Sequence, residues 1–131
     1  MTYFFNTILE NKTFDEAIDL VTAALKKEGF GVLNEIDIQQ TLKNKIDVDF
    51  KKYKILGACS PKFAHKALLA EDKIGLLLPC NVVVEEHETG AVEVSIVDPI
   101  VSMSAIENES LGELAQTVQQ KLKNVIEDLK N

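Results

Sequence analysis

The stretch Val82-Val83-Val84-Glu85-Glu86-His87-Glu88-Thr89-Gly90-Ala91-Val92-Glu93-Val94-Ser95-Ile96 decides the fold. Two runs of β-branched residues flank His87-Glu88-Thr89-Gly90, whose composition is that of a hairpin turn. Val92, Val94 and Ile96 alternate with polar residues, so the returning strand has one apolar face. Three successive valines at 82–84 make both faces of the outgoing strand apolar. One face covers a core; the other must meet a helix or another subunit.

Upstream of the hairpin, Ile74 to Leu78 is almost continuously apolar, and Pro79 reads as a kink or edge position before the strand resumes. Tyr53 to Cys59 alternates as a strand, with Tyr53, Ile55, Gly57 and Cys59 on one face. Ser60 suits an N-cap and Pro61 the first helical turn, with Phe63, Ala64, Ala67 and Leu68 as the apolar side of a 61–70 helix. Nearer the N-terminus, 3–9 reads as a strand. A capping box at Thr13-Phe14-Asp15-Glu16 starts a helix over 14–28, which Gly29 ends. Residues 30–36 read as a strand, and a short helix follows over 38–44, capped by Asp37 with Leu42 inward. Beyond Asp98-Pro99 comes a loop. A long helix then carries Leu111, Leu114, Val118, Leu122, Val125 and Leu129 on one face. The order β-α-β-(short α)-β-α-β-β-α predicts an α+β domain, an antiparallel or mixed sheet covered on one side by helices.

The chain has 131 residues, which predicts a single domain over 1–131 that buries enough surface to fold without disulfides. Its formal net charge is −7, and all 14 basic residues are lysines. Without arginine's planar fork or a basic stripe, the chain is not expected to bind nucleic acid or an anionic membrane. Lys51-Lys52-Tyr53-Lys54, the densest basic stretch, reads as a solvated strand edge. The N-terminal segment lacks a basic region and a long apolar core, and no apolar run is long enough to span a bilayer. These features predict a cytoplasmic protein with reduced cysteines.

The chemistry that stands out lies at Cys59 and Cys80. Cys59 immediately precedes a helix start, where unpaired amides and the helix dipole favour a thiolate. The alternative is a small buried hydrophobe at a strand end. Cys80, in phase with Val82 and Val84, reads as a core residue with a raised pKa. Their 21-residue separation matches no zinc or thioredoxin spacing, and a set of Cys59, Cys80 and His65 matches no recognised ligand pattern, so no metal site is expected. His87, among Glu85, Glu86 and Glu88, reads as part of a solvated charge cluster. No nucleotide-binding, metalloprotease or hydrolase motif occurs, and no catalytic residue is assigned.

Taken together, Tyr53-Lys54-Ile55-Leu56-Gly57-Ala58-Cys59-Ser60-Pro61, Ala64-His65-Lys66-Ala67-Leu68 and Ile74-Gly75-Leu76-Leu77-Leu78-Pro79-Cys80-Asn81-Val82-Val83-Val84 resemble the family known as domain of unknown function 302, found mainly in bacteria and archaea. The resemblance implies a curved, mostly antiparallel sheet backed by helices, TATA-binding-protein-like in outline, and a homodimer. It supplies no activity, and the cofactor stays unknown. Two functions stay open. One is a dimeric module that binds a small ligand or partner segment near the start of the 61–70 helix, through Cys59, Ser60, Pro61, Cys80 and Asn81. The other is thiol-dependent redox, persulfide or soft-metal handling by Cys59, with Cys80.

Overall fold

The structure, a computed structural model, describes residues 2–130; Met1 and Asn131, the ends of the expected domain span, lie outside the described residues. Five strands, β1 (Phe4–Leu9), β2 (Gly31–Asp37), β3 (Tyr53–Cys59), β4 (Cys80–Glu86) and β5 (Val92–Val97), form one sheet in the order β1-β5-β4-β3-β2. Every neighbouring pair is antiparallel. The hairpin sets the register: Val82 pairs with Ile96 and Val84 with Val94, and all four side chains are buried on the same face. Leu56 and Ala58 of β3 and Leu9 of β1 extend that face.

Two long helices cover it. Helix α1 (Phe14–Lys27) begins at the expected capping box: the Glu16 amide donates to Thr13 Oγ1 at 3.1 Å, and the Thr13 amide donates to Glu16 Oε1 at 2.9 Å. It ends in a Schellman motif, with the Phe30 amide on the Leu25 carbonyl, the Gly29 amide on the Lys26 carbonyl, and Gly29 at φ +85°. Leu25 and Phe30 are both buried, which supplies the apolar contact that accompanies this motif. Helix α5 (Glu109–Leu129) buries Leu111, Ala115, Val118, Leu122, Val125 and Ile126. That stripe departs from the expected one: Ala115 and Ile126 are buried, whereas Leu114 and Leu129 are half-buried. The stripe turns slightly along the helix because 3.6 residues per turn drifts against a three-four repeat.

Three segments differ from expectation. Leu42 on α2 (Ile38–Ile46) is half-buried, and α2 buries no residue fully, because it lies at the edge of the sheet beside β2 and its neighbour β3. Residues Asp72–Leu77 form a 3-10 helix and not a lead-in to β4, with Ile74 fully buried and Leu76 exposed. The loop after Asp98 contains a short helix, α4 (Pro99–Ser102), which the Asp98 carboxylate caps at the Ile100 amide. Helix α3 (Pro61–Ala70), the 3-10 helix, α4 and the start of α5 enclose a second small cluster of Ala67, Ile74 and Leu111. No helix among the described residues is long and apolar enough to cross a membrane.

Candidate functional site

The two apolar clusters do not merge, and the cavity at their junction holds the cysteines. Ala58 and Cys80 are direct partners across β3 and β4, so the chain leaves the sheet at Cys59-Ser60 beside the point where it enters at Pro79-Cys80. Cys59, Ser60 and Cys80 line a cavity of about 40 Å³, closed by Phe63 and Ala64 of α3 and by Ala115 of α5. Its wall is apolar apart from the thiols and Ser60. A volume near 40 Å³ holds one small apolar group, far below the several hundred Å³ of a drug-sized pocket.

Burial disfavours the thiolate at both cysteines. Burial pushes Cys59 up from the ordinary thiol range, and it pushes Cys80 up to about 11, with the neighbouring Cys59 adding to the rise. Cys59 lies two positions ahead of the first helical residue and is partly desolvated, and this desolvation opposes the thiolate that a helix start favours. Ser60 occupies the N-cap, but its side chain makes no capping hydrogen bond; its carbonyl accepts from the Ala64 amide at 2.8 Å.

The five residues singled out in the sequence are not all brought together. Cys59, Ser60 and Cys80 share the cavity. Pro61 sits in the exposed first turn of α3, outside the lining. Asn81, one residue beyond Cys80, points to the opposite face of the sheet, as strand alternation requires. There it borders a broad depression with Tyr53, Val83, Glu85, Glu93 and Ser95. Val83 is half-buried in this depression, so the middle valine of the run faces a mixed polar surface and not a wholly apolar one. His65 is exposed on α3 and belongs to no cluster of metal-ligating groups among the described residues.

The opposite face also gathers groups that the sequence keeps apart. Glu85 and Glu93 are direct partners across β4 and β5, and His87 follows Glu85 in the same phase. His87 Nε2 lies 2.8 Å from Glu93 Oε1; Asn6 Nδ2 donates to Glu93 Oε2 at 2.6 Å; Lys51 Nζ donates to Glu85 Oε1 at 2.6 Å. The bonds from Asn6 and His87 hold the Glu93 carboxyl below its ordinary value. His87 is therefore half-buried and partnered, where the sequence pattern points to a solvated charge cluster. The hairpin register carries the missing signal: counting back from the turn places Glu93 opposite Glu85.

Comparison with known proteins adds a family. The model described as "Domain of unknown function DUF302" matches residues 5–129. A solved structure, the crystal structure of an uncharacterized conserved protein DUF302 from Bacillus stearothermophilus, is similar at 25% sequence identity and a TM-score of 0.89, covering 98% of each chain. No curated protein matches.

Proposed function

Because this chain belongs to the DUF302 family, whose function is unknown, we propose from its own geometry that it is a binding module taking one small apolar group. The group is the end of an alkyl chain or a single aliphatic side chain of a partner segment, seated between Cys59, Cys80 and the facing helices α3 and α5. One observation carries the reading: an apolar cavity persists where two otherwise close-packed clusters meet, at the point where both cysteine segments converge. Close packing fills space of this kind unless something else occupies it. The thiols serve as soft, polarisable lining, and their raised pKa values speak for that role over nucleophilic or redox chemistry.

The same reading includes a homodimer. Leu68, Leu69, Leu76 and Leu77, on α3 and the 3-10 helix packed beside it, are all exposed, Leu69 at 75% and Leu76 at 85%. Monomers rarely leave large apolar side chains clustered in this way, and a second copy is the occupant the proposal assigns to them.

A methyl NMR titration with the n-alcohols from propanol to hexanol tests the cavity. Saturable shifts are expected at Ala64, Ala115 and Met103, lost when Ala64→Leu fills the space. Shifts that never saturate, or that survive Ala64→Leu in a folded protein, would refute the binding reading.

A further inference from the structure

The cross-strand pair Glu85 and Glu93 is unusual on its own terms. Like charges placed directly opposite one another on adjacent strands are destabilising. Both carboxylates are also sheltered, with 17% of each side chain exposed, so water screens their repulsion poorly. Lys51 pairs with Glu85, and the His87 imidazole lies against Glu93.

The imidazole makes this more than an acidic cluster. One ligand atom from each of Glu85, His87 and Glu93 lies within 4.8 Å of the other two, the one such grouping among the described residues. Each carboxylate has one oxygen engaged from outside the group, Glu93 Oε2 by Asn6 and Glu85 Oε1 by Lys51. Such outer hydrogen bonds orient metal-binding carboxylates and leave the second oxygen to coordinate. One imidazole and two carboxylates are ligand types that zinc accepts, and three is the number of protein ligands in open zinc sites, where the fourth position faces solvent or a ligand. Here that position would face the depression bordered by Tyr53, Asn81 and Ser95.

The geometry points to a divalent transition-metal site of the zinc class at Glu85, His87 and Glu93, on the sheet face opposite the cysteine cavity and independent of it. Bridging the three ligand atoms, the ion removes the Glu85–Glu93 repulsion and displaces the His87–Glu93 hydrogen bond. Imidazole selects zinc-class ions over magnesium and calcium, which prefer all-oxygen shells.

The chain has two histidines, which makes the test internal. Full-length protein in metal-free buffer is titrated with zinc chloride, followed by calorimetry and by the imidazole resonances of His65 and His87. Expected is one-to-one binding that shifts His87 and leaves the exposed His65 unmoved. Affinity should fall at least tenfold in Glu93→Gln and in His87→Gln, and stay unchanged in Cys59→Ser. Magnesium should give no saturable heat. Absence of saturable zinc binding overturns the proposal. So does binding that shifts His65, or that disappears in Cys59→Ser while surviving Glu93→Gln.

Discussion

Gly57 shows how tightly the residues around the cavity are placed. It sits fully enclosed on β3, and a Cβ there would fall 2.8 Å from Pro79 Cγ and directly onto the Asn34 side chain. Asn34 can swing away, but the Pro79 ring is fixed to the backbone that delivers Cys80. Gly57→Ala should therefore cost about 1–3 kcal/mol of stability, as overpacking does, read from urea unfolding. Asn34→Ala should recover only part of it. Cys80 gives a second prediction at this scale. Its folded pKa, raised to about 11, exceeds the unfolded value near 9, so folding favours the neutral thiol. The stability this confers is complete below pH 9 and is lost as pH rises toward 11. Relative to Cys80→Ala, the wild type should lose roughly 2–3 kcal/mol across that window in pH-dependent unfolding, at about 1.4 kcal/mol per pKa unit. Equal slopes for the two proteins would show that Cys80 is not desolvated. Alkylation of Cys80 in the folded protein should be slower than that of a free thiol at every pH below 11.

Elements whose ends carry side-chain signals were readable from the sequence, and elements defined by their neighbours were not. Thr13 and Glu16 fix the start of α1, Gly29 its end, and the valine alternation fixes the hairpin, because each acts within a few residues. The 3-10 helix at Asp72–Leu77 shares its apolar composition with a buried strand; it curls because Ile74 fills the gap between α3 and α5, a long-range demand that composition does not encode. The same holds for Asp98, read as part of a loop. It is buried, accepts from the Ile100 amide at 3.0 Å, and receives Gln119 Nε2 of α5 at 3.1 and 3.2 Å on its two oxygens. This pairing ties α4 to α5. Replacing Gln119 with Leu leaves a buried carboxylate short of a donor and should cost about 1–3 kcal/mol in denaturant unfolding. Asp98→Asn should be milder, since it retains an acceptor for the Ile100 amide. For the candidate site, Cys59 and Cys80 come together because β3 and β4 are neighbours with Ala58 opposite Cys80, a long-range pairing that a 21-residue separation does not encode. Placing Asn81 with them did not survive, since adjacent strand residues take opposite faces.

At the scale of the molecule, one sheet separates two regions of different character. The helical side encloses the cysteines in an apolar cavity between two clusters; the opposite side carries Glu85, His87 and Glu93 in a polar depression. The chain's acidity and lack of arginine fit a partner that is neither nucleic acid nor an anionic surface. The account rests on the cavity being a dry, reachable space in the folded protein. A crystal structure of the protein under xenon pressure measures this most directly, since xenon enters dry apolar cavities and reports them by its scattering. The account predicts a xenon atom among Cys59, Cys80, Ala64 and Ala115, absent from the Ala64→Leu protein. Ordered water in that position, or a space closed by movement of α3 onto α5, would contradict it.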